Sequence, residues 1–116
     1  MRRKDLKKIQ AELINLIKSN LISEFRDKNG KPVDEVEYVT LINIVFDDDN
    51  EEHDKIIVTE IYADTRLFIR FMDDDSTSSE NTQVKNNKPI EFLYNHDTDE
   101  FDIVISDVIF YENKLF

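Results

Sequence analysis

The apolar residues of this 116-residue chain change their spacing once, close to Gly30. Before that point, residues 4–25 place apolar side chains three and four positions apart, which is the period of an α-helix. From residue 36 onward, apolar residues recur mainly at every second position, which is the period of a β-strand. The pattern predicts an α+β fold in which one N-terminal amphipathic helix packs on an antiparallel sheet of four to six strands.

The length of the chain predicts a single domain that covers residues 1–116. The helix is expected at about 4–25 and is followed by a turn, because Asn29-Gly30 favours a positive φ and Pro32 cannot continue a helix. Residues 55–72 form either two strands with a turn at Asp64-Thr65 or one long bent strand. The predicted strands are residues 36–46, 55–63, 66–72, 89–94 and 101–111, and residues 73–87 are predicted to form a polar loop.

Three expectations concern individual strands. The strand at 36–46 is apolar on both faces in its middle, which is typical of a central strand. Ile57, Ile61 and Ala63 are expected to share one face, because alternate residues of a strand point the same way. The apolar phase of residues 101–111 slips at Ser106-Asp107, which predicts a β-bulge there.

Charge is divided unevenly along the chain. Residues 1–18 carry six Lys or Arg and two acids, a net charge of +4, and the whole chain carries −11, so residues 19–116 carry −15. Such a body repels nucleic acid and anionic membrane and attracts basic surfaces. We therefore expect a protein partner with a basic surface, no direct nucleic-acid binding and no membrane binding, and the sequence leaves self-association open.

The chain lacks the residues that several classes of function require. The chain has no Cys, which excludes disulfides, thiolate metal sites and thiol nucleophiles. A single Gly excludes the glycine-rich loops that hold phosphates and dinucleotides. No apolar segment is long enough to span a bilayer, and no apolar signal-peptide core follows the basic start. We expect a cytoplasmic protein that uses no cofactor or metal.

Two acidic runs are the candidate partner-binding residues. Acids two positions apart in a strand are about 6.6–6.8 Å apart, comparable to the spacing of neighbouring phosphates in nucleic acid, about 7 Å. A domain with such a lattice can occupy a basic nucleic-acid-binding surface, although charged turns also serve solubility alone. The candidates are Asp47, Asp48, Asp49, Glu51 and Glu52 in one turn, and Asp73, Asp74 and Asp75 at another strand end.

Three weaker patterns have ordinary structural explanations. His53 and His96 each adjoin an acid, which allows general-base chemistry or a zinc site if two turns meet. Residues 95–100 alternate oxygen donors as calcium loops do, but Glu100 replaces the required Gly, so an Asx-rich turn is the simpler interpretation. The basic amphipathic helix can bind a membrane or an acidic partner, but such a stripe usually packs in its own domain.

No catalytic motif is present, so the sequence favours binding over catalysis. We expect a non-enzymatic acidic protein that binds and inhibits another protein. Its sharpest form is a phage or mobile-element inhibitor of the anti-restriction or anti-CRISPR type. The alternatives are an immunity protein or antitoxin that neutralises a cognate toxin, an accessory subunit of a larger assembly, and an enzyme that uses His53 or His96.

Overall fold

A computed structural model of the chain describes residues 3–27, 30–47, 54–70, 77–104 and 107–113. One helix precedes six strands in these residues, and every strand pair is antiparallel, which confirms the predicted α+β fold. The elements are α1 (Arg3–Glu24), β1 (Glu35–Phe46), β2 (Lys55–Arg70), β3 (Thr77–Asn86), β4 (Ile90–Asn95), β5 (Glu100–Val104) and β6 (Phe110–Glu112).

The sheet is a meander of four rows of strands, here called lines: β1, β2, β3 with β4, and β6 with β5. Each of the last two lines is interrupted between its two strands. β1 occupies one edge of β2, and β3 and β4 follow each other along the other edge. β6 then pairs with β3, and β5 pairs with β4, so these two strands share the outermost line. The register of β2 with β4 differs by one residue from that of β2 with β3, and the register of β4 with β5 differs by one residue from that of β3 with β6. Such a shift requires an inserted residue.

The helix packs inside the curve of the sheet. Ile9, Leu13, Ile17 and Leu21 are fully buried, and each contributes roughly 1.5–3 kcal/mol by leaving water. Residues of α1 come close to β1 at one edge of the sheet and to β5 and β6 at the other, but not to the central β2. The sheet therefore curves around the helix, and its other face, here called the outer face, is convex.

Residues 77–86 form strand β3, so the prediction of a loop over 73–87 was wrong for this part; residues 73–76 lie outside the described residues. Thr82, Val84 and Asn86 point toward the helix, and the strand has only one large apolar residue in ten. The alternation of β3 could not be detected from hydrophobicity, because polar residues occupy most of its buried positions. The Thr65 hydroxyl, for example, donates to the carbonyl of Thr82 at 2.7 Å.

β2 is one long strand, which decides between the two alternatives for residues 55–72; residues 71 and 72 are not among those described. The expectation that Ile57 shares a face with Ile61 was wrong. Val58 and Ile61 are both fully buried, and the register with β1 is irregular between them. That irregularity reverses the alternation, so Ile57 lies on the outer face.

β1 is an edge strand, contrary to the prediction of a central one, because among the described strands it pairs with β2 alone. Register irregularities at Glu37 and Ile42 shift its alternation twice, which places apolar residues on both faces. Tyr38 and Val45 are exposed on the outer face. Irregularities of this kind also protect an edge strand from pairing with other chains.

The interruption in the outermost line is longer than the predicted bulge. β5 ends at Val104 and β6 begins at Phe110; Ser106 lies outside the described residues, and Asp107 has a φ of +47°. The side chain of Asn20 connects α1 to this interruption. Its Nδ2 donates to the carbonyl of Val108 at 2.7 Å, and its Oδ1 accepts from the amide of Phe110 at 3.0 Å.

Asn86 and Asn87 close the matching gap between β3 and β4. Oδ1 of the buried Asn86 accepts from the amide of Ile61 at 2.9 Å, and its Nδ2 donates to the carbonyls of Thr59 and Lys88. Asn87 accepts from the amide of Ile109 through Oδ1 at 2.8 Å. Side-chain amides thus replace backbone partners where the ladder is broken.

Candidate functional site

Asp47 is the one predicted partner-binding residue that falls within the described residues. It directly follows β1, and its amide donates to the carbonyl of Ile57 at 2.9 Å, so the β1–β2 ladder continues through it. The other predicted residues lie outside the described residues, and their predicted role stays a prediction. They are Asp48, Asp49, Glu51, Glu52, Asp73, Asp74 and Asp75.

The strand ends that flank the two acidic runs lie at opposite ends of β2. Residues 48–53 connect the end of β1 to the start of β2, whereas residues 71–76 connect the end of β2 to the start of β3. β2 has 16 residues, and at a rise of about 3.3 Å per residue its ends are roughly 50 Å apart. Of the two ends of β2, the one that begins at Lys55 adjoins the turn described next.

The turn between β4 and β5 meets the start of β2. The amide of Tyr94 donates to the carbonyl of Asp54 at 2.7 Å, and Nε2 of His96 lies 2.9 Å from Oδ2 of Asp54. This contact brings the acids of two turns to one end of the molecule. We name this group the acidic end; its described members are Asp47, Asp54, Asp97, Asp99 and Glu100.

Lys8 explains in part why the start of the helix is basic. Its Nζ lies 3.0 Å from Oδ2 of Asp99 and also donates to the carbonyl of that residue. The helix start thus packs against the acidic end, where Lys8 faces a carboxylate of the same chain. Both side chains are partly exposed, so this pair contributes at most about 1 kcal/mol to stability.

The sequence placed each histidine beside an adjacent acid, Asp54 for His53 and Asp97 for His96, whereas in the structure His96 pairs with Asp54 of the other turn. Their side chains are 70% and 57% exposed, and the ring of Tyr94 meets the His96 ring edge-on, with the centroids 4.7 Å apart. An open surface position of this kind does not exclude water from a reaction. A cavity of about 570 Å³ lies elsewhere, beside Asn20, Asn87 and Lys88. His53 is outside the described residues.

The calcium-like segment at residues 95–100 adopts an Asx turn. Oδ1 of Asn95 accepts from the amide of Asp97 at 2.9 Å, and its carbonyl accepts from the amide of Asp99 at 2.9 Å. The Asp99 carboxylate already binds Lys8 and the hydroxyl of Tyr94. Across the part of the chain that the structure describes, no three His, Asp or Glu residues are placed to hold a metal ion.

The outer face of the sheet carries exposed apolar residues that the sequence analysis did not single out. Ile57 pairs with Glu91, which pairs with Val104, and Lys55 pairs with Leu93, which pairs with Asp102. Ile57, Leu93 and Val104 thus alternate with charged residues; we name these three the aliphatic patch. The alternation of residues along the strands indicated that the sheet has two faces, but it did not indicate which face the helix covers.

The cations that the structure describes on the outer face are already paired. Hydrogen bonding to Tyr62, with a smaller effect of the Glu60 carboxylate, holds the pKa of Lys85 above its ordinary value. The Lys85 ammonium also lies 5.4 Å from the centre of the Tyr62 ring. The ion pairs are Lys55–Glu91 at 2.6 Å, Arg66–Glu37 at 3.1 Å and Lys85–Glu60 at 3.8 Å.

Comparison with protein-family models, with curated proteins and with solved structures finds no match to this chain. The helix among the described residues is not apolar enough over a sufficient length to cross a membrane.

Proposed function

We propose that this chain is a non-enzymatic protein that binds and inhibits another protein by occupying a basic surface on it. The observation that carries the proposal is the acidic end, where two turns and the start of the helix meet. Asp97 and Glu100 are exposed there and have no cationic partner among the described residues. A surplus of unpaired carboxylates at one end of a −11 chain favours a basic partner and fast association.

A nucleic-acid-binding surface is the form of partner that we propose. The inhibitor would act in the cytoplasm, as a phage or mobile-element protein of the anti-restriction or anti-CRISPR type does. Lys55, Arg66 and Lys85 neutralise carboxylates on the outer face, so the face is not a continuous acidic lattice. The proposed electrostatic contact is therefore the acidic end rather than the full sheet.

The test measures inhibition of nucleic-acid binding. Purified nucleic-acid-binding proteins are titrated with the chain, and nucleic-acid release is followed by fluorescence anisotropy at low and at moderate salt. We expect one target to be inhibited near equimolar ratio at low salt, with weaker inhibition as salt screens exposed charges. Inhibition that is unchanged by salt would contradict the electrostatic mechanism.

A matched pair of triple variants locates the contact. Asp47→Asn, Asp97→Asn and Glu100→Gln remove three charges from the acidic end, whereas Glu24→Gln, Glu80→Gln and Glu112→Gln remove three exposed charges elsewhere. We expect the first variant to lose inhibition and the second to retain it. Equal losses in both would show that only net charge matters.

A further inference from the structure

The aliphatic patch is formed by three neighbouring strands. Leu93 of β4 and Val104 of β5 are 41% and 43% exposed, and Ile57 of β2 lies half-buried beside them. Their positions follow from the pairing, because Glu91 is directly opposite both Ile57 and Val104. Leu93 is diagonal to both Ile57 and Val104, and Glu91 lies between those two. Diagonal neighbours on one face of a sheet lie about 7–8 Å apart, within reach of long side chains, so Leu93 connects the other two into a patch that Glu91 interrupts.

The same strands bury most of their other side. Val58, Ile90 and Phe92 alternate with the patch residues and are 0–1% exposed beneath the helix. No described element covers the outer side of these strands. The sheet therefore presents branched aliphatic side chains to water where solvated strands usually place polar ones.

The charges around the patch indicate what can cover it. Lys55 is neutralised by Glu91 at 2.6 Å, while Asp102 accepts a hydrogen bond from Nδ2 of Asn95 at 3.3 Å and forms no ion pair with a described residue. The patch also adjoins Asp54 at the start of β2 and the acidic turn that follows β4. Aliphatic side chains interspersed with the Glu91 and Asp102 carboxylates are complementary to a segment that carries aliphatic side chains among Lys or Arg.

We propose that the aliphatic patch is the docking site for such a segment: a basic stretch of the partner protein that places aliphatic side chains on Ile57, Leu93 and Val104. This inference rests on the proposed function and names the part of the chain that supplies the salt-independent share of the affinity. The acidic end draws the basic segment in, and the patch retains it through burial of apolar surface.

Two synthetic peptides of equal charge test the inference. One is built from Lys and Leu and the other from Lys and Ser, and their affinities for the full chain are measured by fluorescence anisotropy. We expect the Lys/Leu peptide to bind about tenfold more tightly, because each tenfold in affinity requires only one or two buried methylene groups. Amide chemical shifts should change at Leu93 and Val104 on binding.

Variants assign the difference to the patch. Leu93→Ser should remove the preference for the Lys/Leu peptide and leave the binding of the Lys/Ser peptide unchanged. Val104→Thr keeps a β-branched strand residue and should reduce the preference without loss of folding. Ile22→Ser is the matched control, because Ile22 is 45% exposed on α1, on the opposite side of the sheet.

The outcomes separate this inference from the proposed function. A preference that survives Leu93→Ser and Val104→Thr, or is absent in the wild-type chain, overturns the aliphatic patch as the docking site. Failure of both peptides to bind at low salt contradicts the proposed function itself. Loss of the preference in Ile22→Ser would also count against the patch, since that residue lies far from it.

Discussion

The two faces of the sheet differ in what covers them rather than in whether they are apolar. The helix side buries Leu67, Val84 and Phe92 completely, whereas the outer face exposes Leu93, Val104 and Tyr111. Apolar side chains therefore occur on both faces, but only the helix side converts them into stability. Under the proposed function, the exposed apolar residues of the aliphatic patch serve binding, whereas the buried ones serve folding.

The largest expected difference in stability is between alanine variants of two leucines. Leu13→Ala removes a fully buried side chain beneath the sheet and should destabilise the chain by about 2–5 kcal/mol. Leu93→Ala removes an exposed side chain from the outer face and should cost less than about 1 kcal/mol. Urea unfolding of both variants measures the difference. Similar losses would mean that the outer face also supports folding.

The next comparison uses two asparagines of β3. Asn86 is 4% exposed and bonds three backbone groups, so Asn86→Ala should cost roughly 1–3 kcal/mol by leaving them unsatisfied. Asn81 is exposed on the same strand, and Asn81→Ala should change stability by less than about 0.5 kcal/mol. Thermal unfolding distinguishes them, and a neutral Asn86→Ala would show that water replaces these bonds.

A smaller effect is expected at the acidic end. Lys8→Met keeps the aliphatic stem and removes the ion pair with Asp99, which should lower stability by about 1 kcal/mol or less. Because salt screens the pair, the wild-type and Lys8→Met chains should become equally stable at high salt. A difference that persists in high salt would point instead to packing of the Lys8 stem.

The smallest expected effect is the pH response of Lys85 on the outer face. Its pKa is raised above the ordinary 10.5, mainly by Tyr62, so its contribution is complete below 10.5 and is lost as pH rises through the folded value. Tyr62→Phe should move the Lys85 pKa toward 10.5, as followed by NMR of the lysine side chain. An unchanged pKa would assign the shift to Glu60 instead.

Local periodicity identified the helix and most of the strands, but not β3 and not the pairing between strands. The stripe that includes Ile9 and Leu13 identified α1 within one residue at either end, because a helix repeats over many turns. β3 escaped detection because Thr82 and Asn86 occupy buried positions that are usually apolar. The burial of Asn86 is allowed by backbone partners on β2, which local sequence does not reveal.

The candidate site was only partly predictable for a similar reason. Acidic runs are visible in sequence, but the contact between His96 and Asp54, which joins two turns, depends on the pairing of β2 with β4. Ile57 was assigned to the wrong face because one irregularity of register reverses every later position. The aliphatic patch follows from that reversal.

By itself, the sequence determined the α+β class, the helix and its buried stripe, the charge division and the absence of thiol and glycine-loop chemistry. These properties depend on residue type and local spacing. Only the tertiary structure decided that β1 lies at an edge, that β2 is one strand and that two turns form the acidic end. Strand pairing joins residues far apart in the chain, and its register, rather than composition, selects which face is covered by the helix and which remains available to a partner.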